Sequence, residues 1–390
     1  MTAQSYLSRG VSPTKDDVKK AVVNQSKGIF PGSFCKIIPD IAGDPDYCIA
    51  VHADGAGTKS SAAYIMYRET NDTSWFRGIA QDSLVMNTDD LAAIGALNDF
   101  YLSNTIGRNA HRVDGRCIAE IISGYDAAID ILGRFGVKVT MTGGETADVG
   151  DLVRTVIADS TAVVRMKRSD VINAANIRSG DVIIGLASFG RSMYEHKENS
   201  GIGSNGLTAA RHALLSREYL DRYPESVSET ISEDKIYCGR YTLDKRIDGS
   251  SLSAGEALLS PTRTYLPVLN KVFESLGRYH ISGMIHCTGG GQVKCKDFGM
   301  GLTYVKDNLF DRPAIFEAIA DSGEIPEIEM YQIFNMGHRM EIYCRESVKD
   351  EIIKISGSLG VDARQIGYVE SGKNLDNKVV IRDRGNEFIY

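Results

Sequence analysis

Hydrophobic and polar positions along this chain switch between two periods. Cys48–His52 is a short apolar run that stops at Asp54-Gly55, the pattern of a strand entering a turn. Over residues 79–97 the period becomes helical. Leu84, Leu91 and Ile94 fall on one side at about 100° per residue. Asp82 and Asp89 lie in line on the other side, with Asp90 adjacent. Ile118, Ile121, Ile122, Tyr125, Ile129 and Leu132 mark a second amphipathic helix, closed by Gly133 and Gly136. Val137–Met141 then reads as a strand running straight into Thr142-Gly143-Gly144-Glu145-Thr146, and Val153–Val164 as another.

Alternating strands and helices predict an α/β or α+β fold. Turn residues cluster between Ile172 and Gly180, just before the apolar run Val182–Ala187. The chain therefore divides into an N-terminal unit, residues 1–172, and a C-terminal unit, residues 173–390. Ser216–Ser253 is a long polar stretch with little strand signal and is expected to be helix and loop. Each unit carries a glycine cluster after an apolar stretch, at Asp54–Gly57 and Gly289–Gly291.

Composition narrows the function classes. The 390 residues are 43% hydrophobic and 24% charged, as in an ordinary globular protein. A net charge of −7 argues against nucleic acid or an anionic membrane as the main partner. Seven cysteines without C-x-x-C spacing suit neither a disulfide scaffold nor structural zinc, and read as reduced thiols. The polar first residues lack a signal peptide's apolar core, and no run is long enough to span a bilayer. The expectation is a soluble cytoplasmic protein.

Candidate chemistry lies in four glycine-containing segments: AVHADGAGTK (50–59), TGGETAD (142–148), GIGSNGLTAA (201–210) and HCTGGGQVK (286–294). Any one of them alone reads as a turn, since glycine tolerates positive φ. The acids beside them change the picture. AVHADGAGTK is not a Walker A loop, because Thr58 separates Gly57 from Lys59 and Asp54 puts a carboxylate where phosphate is expected. Two carboxylates brought to about 4 Å repel by about 4 kcal/mol at an effective dielectric near 20. A cation between them removes that cost, and oxygen-only acidic sites suit Mg²⁺ shared with substrate phosphates. Glycine-turn N–H groups, Thr58 and Lys59 then supply the phosphate ligands. Ser204 and Asn205 precede a helical run, which gives either a helix cap or an anion site. His286 is a candidate acid/base group near neutral pH. The other six histidines show no nucleophile–base arrangement, and Cys35 reads as an ordinary buried thiol.

In this order and spacing, the segments resemble aminoimidazole ribonucleotide synthetase (phosphoribosylformylglycinamidine cyclo-ligase). The resemblance runs from about Gly28 to Ile381. Its most specific pieces are ADGAGTK, DSLVMNTDDLAAIGA, GGETAD, SNGLTAAR, LLSPTRTY (258–265), HCTGGG and EMYQIFNMGHRM (329–340). The acidic helix with ADGAGTK and GGET also suits the wider superfamily of selenophosphate synthetase, thiamine-phosphate kinase and the hydrogenase-maturation dehydratase. SPTRTY, HCTGGG and MYQIFNMG narrow it to the cyclo-ligase.

The resemblance implies a two-domain α/β homodimer paired through its N-terminal sheets, with ATP between the domains. It implies Mg²⁺ on Asp54 and Asp90, and a triphosphate lined by Gly55, Gly57, Thr58 and Lys59. Gly143, Gly144 and Glu145 complete the nucleotide site, with Asp82 and Asp89 nearby. Ser204, Asn205 and Gly206 face a ribonucleotide substrate, with His286, Thr288, Gly289, Gly290 and Gly291 beside it. His286, Lys59 and Asp90 are the expected catalytic groups. The implied reaction is ATP-dependent closure of formylglycinamidine ribonucleotide to 5-aminoimidazole ribonucleotide in purine biosynthesis.

The sequence also departs from the family pattern. Gly203 stands where many members have a histidine before Ser-Asn-Gly, with His196 and His338 as candidate replacements. QVKCKDF follows the triple glycine, Asp89-Asp90 replaces Asn-Asp, the segment after GGETA lacks Met-Pro-Gly, and His338-Arg339 replaces small residues. Two other readings follow: another superfamily ATPase acting on a different small substrate, or a catalytically weak nucleotide-binding paralogue.

Overall fold

A computed structural model describes residues 4–12 and 16–390. Two sheets organise the chain into a two-domain α/β fold. The first has five strands: β1 (Ile37–Pro39), β2 (Tyr47–Gly55), β3 (Phe100–Arg108), β4 (Val139–Asp148) and β5 (Val156–Lys167), in the order β1-β2-β5-β3-β4. All neighbours are antiparallel except β3 and β4. Period-2 patterning sets its faces. Phe100, Leu102 and Ile106 point into the core beneath the helices Arg77–Ala92 and Gly115–Arg134, while Tyr101, Ser103 and Thr105 stay exposed. Val51 and Ile157 extend that open apolar face.

The two predicted helices form, with informative differences. The second runs Gly115–Arg134 and is capped by Asp114, whose carboxylate accepts from Arg116 N at 2.9 Å and Cys117 N at 3.3 Å. The first runs Arg77–Ala92 and stops short of residue 97. Gly95, at φ 90°, makes the turn, and a Cβ there would lie 2.6 Å from the Asp170 carbonyl. The helix is not amphipathic in the ordinary sense. Asp82 and Asp89 are fully buried, because the second domain covers the side opposite the sheet. The Thr142–Thr146 segment is strand throughout, with the extra residue taken up in a bulge where the β3–β4 register shifts between Leu102 and Asn104.

The second sheet has seven strands: β6 (Val182–Ala187), β9 (Ile281–His286), β10 (Leu302–Lys306), β11 (His338–Cys344), β12 (Ala363–Ser371), β13 (Lys378–Asp383) and β14 (Asn386–Ile389). Their order is β14-β13-β10-β12-β6-β11-β9. A short ribbon, β7 (Phe189–Gly190) with β8 (Asn199–Ser200), follows β6. β6, β9 and β11 are buried at every residue; β6 is accordingly a continuous apolar run, whereas β11 also buries the polar side chains of His338, Arg339 and Glu341. The polar stretch 216–253 forms short helical turns and loop, held by the buried rings of Tyr219, Tyr223, Tyr237 and Tyr241. It ties to the first domain where Tyr64 donates to Glu225 (2.5 Å) and Tyr223 donates to Glu69. All seven cysteines are free, and Cys35 is buried. No described helix is long and apolar enough to cross a membrane.

Candidate active site

The Asp54–Lys59 segment leaves the end of β2 and enters the helix Lys59–Thr70. Gly55 has room for no side chain, since a Cβ would fall 1.7 Å from Asp159 Oδ1. Gly57, at φ 56°, then turns the chain into the helix. The first N–H groups of that helix have no partner within it, which makes its start an anion site in principle.

This loop meets the second domain at the Ser204-Asn205-Gly206 turn. Ser204 Oγ donates to the Ala56 carbonyl at 3.1 Å, and the Thr58 and Thr208 hydroxyls lie 2.9 Å apart. Gly206, at φ 81°, caps the helix Leu207–Leu214. A Cβ on it would strike the Phe334 ring at 2.5 Å. Asn205 Oδ1 is buried without a hydrogen-bond partner among the described residues.

Lys59 and Asp82 form a fully buried pair beside this junction. Lys59 Nζ donates to Asp82 Oδ1 at 2.7 Å and to the Ser260 carbonyl at 2.6 Å. Asp82 Oδ1 also accepts from Thr262 N at 2.8 Å and from the Thr262 hydroxyl. Asp82 Oδ2 has no partner among the described residues. Burial draws the Lys59 pKa down, with Asp82 opposing the shift. Lys59, expected along the triphosphate, is thus directed at a carboxylate here, because a buried ammonium needs an anionic or carbonyl partner.

Asp89 and Asp90 lie one helical turn or more further on. Asp89 accepts from Thr264 Oγ1 and Tyr265 N, both at 2.8 Å, and burial raises its pKa. The Asp90 oxygens are both engaged by imidazoles: Oδ1 lies 2.6 Å from His286 Nδ1 and Oδ2 lies 3.1 Å from His52 Nε2. Burial opposes ionisation of Asp90, yet hydrogen bonds from His286 and His52 hold its carboxyl well below the usual range. His52 is raised by Asp90, Asn87 and the nearby Asp54 charge, against burial. His52, for which the sequence offered no arrangement, thus stands beside Asp90 together with His286. His52 shares a strand face with Asp54, which β alternation alone would have indicated.

His286 ends β9, and Thr288–Gly291 follow directly. Gly290 and Gly291 have φ of 99° and 53°. A Cβ on Gly291 would lie 2.6 Å from the Tyr331 and Phe334 carbonyls, which explains a glycine there. Gly289 has open space around its Cβ position. On its other side, His286 Nε2 accepts from Arg339 Nε at 3.1 Å. Arginine only donates, so Nε2 carries the lone pair and Nδ1 the proton that faces Asp90. Arg339 was legible only as a departure from small residues at this position, with no role attached.

Gly143, Gly144 and Glu145 stand apart from this cluster. Gly144 shares a ladder row with Asn104, Ser160 and Asp54. Three strand spacings, about 14 Å, separate the two ends. β4 is an edge strand, exposed from Thr142 to Thr146. A single chain thus aligns GGE with Asp54-Gly55 without bringing them into contact.

Of the two histidines considered for the Gly203 position, His338 turns elsewhere, its Nε2 lying 3.0 Å from Glu341 Oε1. Cys287, His338 and Glu341 place three potential ligand atoms within 4.8 Å of one another. Lys306 donates to Glu341 at the same point, so a lysine already supplies the cation. A cavity of about 430 Å³ lined by Tyr47, Arg165, Phe273 and Arg278, among others, contains none of the expected site residues.

Comparison with known proteins agrees with this architecture. Two family profiles match: AIR synthase related protein, N-terminal domain, over residues 33–165, and AIR synthase related protein, C-terminal domain, over residues 178–379. The phosphoribosylformylglycinamidine cyclo-ligase of Methanocaldococcus jannaschii is 27% identical over 387 residues, covering 96% of this chain and 95% of its own. That of Caldicellulosiruptor bescii is 28% identical over 348 residues, covering 88% of each. Among solved structures, hydrogenase maturation protein HypE superposes with a TM-score of 0.54 at 14% identity, over 89% of this chain and 88% of that one. AaThiL complexed with AMPPCP and TMP gives 0.53 at 11%, over 96% and 95%. These two structures share the fold. Matched in both halves, the chain belongs to the AIR synthase related family.

Proposed function

We propose that this protein is an ATP-dependent cyclo-ligase that closes formylglycinamidine ribonucleotide to 5-aminoimidazole ribonucleotide in purine biosynthesis. ADP and phosphate are the other products. One observation carries the reading: the Ala56–Lys59 loop, the Ser204–Thr208 turn and the Asp90–His286 pair meet where the two domains join. The nearly full-length relatives that carry the cyclo-ligase name support the substrate.

The residue types suit the chemistry. An amide oxygen leaves poorly. Transfer of the ATP γ-phosphoryl to the formyl oxygen converts it into a phosphate ester. The amidine nitrogen attacks the same carbon, loses its proton, and the C–O bond breaks with release of phosphate. Phosphoryl transfer is chiefly positioning and charge neutralisation, so glycine turns and a helix start serve it without a covalent nucleophile. On this reading His286, its ring oriented by Asp90, serves as the base for the amidine proton once its Nε2 lone pair exchanges Arg339 Nε for the substrate.

Asp54 and Asp90 offer the hard oxygen donors that Mg²⁺ takes, and bound there it would neutralise phosphate charge. Asp90 would release one imidazole to become a direct ligand, His52 at 3.1 Å being the longer contact. On this reading residues 1–172 bind ATP and dimerise, and residues 173–390 carry the substrate side of a cytoplasmic homodimer. The open face bearing Val51, Tyr101 and Ile157, with the exposed β4 edge, supports pairing through the N-terminal sheets. A partner across that face is also what would bring Gly143, Gly144 and Glu145 into a nucleotide site.

The test is ADP release with and without formylglycinamidine ribonucleotide, together with a diazotisation assay for aminoimidazole. Substrate-dependent ADP with the aminoimidazole product is expected. ADP release indifferent to that substrate would point to another superfamily ATPase, and tight ATP binding without turnover to a binding paralogue.

A further inference from the structure

Arg339 is the most conspicuous unassigned cation of the site. It is 1% exposed, and among the described residues no carboxylate lies within 4.0 Å of it. Its Nε donates to His286 Nε2, its Nη2 to the Arg263 carbonyl, and its Nη1 is buried with no partner. The Tyr265 ring, 5.5 Å from the guanidinium carbon, offsets part of the charge. A buried guanidinium with a free donor and no anion in contact, Asp89 acting on it only at longer range, is an expensive arrangement unless a ligand completes it. Arg263, buried beside it, is by contrast saturated by Glu195 and the carbonyls of Ala187, Phe189 and Gly190.

The direction of the free donor identifies the ligand. Nη1 lies against Gly203, 2.8 Å from where a Cβ would stand. The next residue, Ser204, is bonded to Ala56 in the loop read as the phosphate cradle. Through His286 the same guanidinium connects to Asp90. Arg339 therefore stands at the phosphoryl end of the site. The turn over Nη1 holds glycines of positive φ at 201, 203 and 206, so no side chain at these positions stands between Nη1 and the junction.

We propose that Arg339 is a phosphate-binding residue, its Nη1 taking an oxygen of the phosphoryl group that is transferred. The inference rests on the reading of this junction as a nucleotide site. A planar donor anchored on the Arg263 carbonyl offers charge where the transferred group becomes most negative.

Calorimetric titration of Mg–AMPPNP and Mg–ADP tests this, because the two ligands differ at the γ-phosphate. In Arg339→Met, AMPPNP affinity is expected to fall roughly 10- to 100-fold, the usual loss of a charged hydrogen bond, with ADP affinity retained. If that variant does not fold, Arg339→Gln, which keeps a donor for the Arg263 carbonyl, carries the same expectation. Unchanged AMPPNP affinity, or equal loss for both nucleotides as a merely structural arginine would give, overturns the proposal. Wild-type protein that binds neither nucleotide removes the functional reading and the inference together. Wild type that binds AMPPNP no better than the variant removes the inference alone.

Discussion

Arg339 Nη1 lies 2.8 Å from the point where Gly203 would carry a Cβ. The two positions are far apart in sequence, and each departs from the family pattern, one by losing a side chain and the other by gaining a long one. In space the departures are one exchange: the volume absent at Gly203 is occupied by the guanidinium of Arg339. This accounts for a glycine before Ser204-Asn205-Gly206 without any histidine moving into its place.

Gly203→Ala is accordingly expected to destabilise the protein. The backbone at φ 69° costs an L-residue about 1–3 kcal/mol, and the contact with Nη1 adds to it. In Gly203→Ala/Arg339→Gly the contact is gone, so the double variant should lose less than the sum of the singles. Denaturant melts of all four proteins measure the coupling. Additive losses would mean that the two residues do not press on each other.

His286→Ala is expected to lower product formation by roughly 10²–10⁴-fold, the range for a lost general base, while leaving nucleotide affinity in place. Single-turnover quenching for aminoimidazole, beside AMPPNP titration, separates the two effects. Normal product formation would make the His286–Asp90 contact structural.

Much of this arrangement was legible in the sequence, and the rest was hidden for identifiable reasons. β6 appeared at Val182–Ala187 with its observed ends, because a buried central strand is a bounded apolar run. The helix Gly115–Arg134 was legible from its stripe of isoleucines. The acidic helix was placed, but its second side read as polar, since periodicity cannot show that Thr262, Thr264 and Tyr265 of another domain descend on Asp82 and Asp89. Strand alternation puts His52 on the Asp54 face, but its pairing with Asp90, like that of Arg339 with His286, joins different elements, and no local spacing encodes it.

Asp54→Asn is expected to abolish most Mg²⁺-dependent turnover while the thermal melt stays close to wild type, since Asp54 sits at a strand end and only half-buried. Titrating Mg²⁺ against ADP release reads the change, and chelation with EDTA should reproduce it in the wild type. Retained turnover at the same Mg²⁺ concentration would sink the metal assignment.

The Lys306–Glu341 pair makes the sharpest prediction about stability. Both side chains are fully buried, and Glu341 also accepts from Tyr343 at 2.5 Å and faces His338. Lys306 and His338 pull the Glu341 pKa from its ordinary 4.5 down to about 2, against burial. The folded state therefore keeps this carboxylate ionised where the unfolded chain protonates it. Its contribution is complete above about pH 4.5 and drains away as pH falls toward about 2. Glu341→Gln leaves Lys306 charged and unpaired, which should cost about 3–5 kcal/mol at neutral pH, whereas Lys306→Met/Glu341→Leu should recover much of that loss. Denaturant melts at pH 7 and pH 3 distinguish the cases: the gap between wild type and Glu341→Gln is expected to narrow in acid. A gap independent of pH would show that Glu341 stabilises the core by packing and not by its charge.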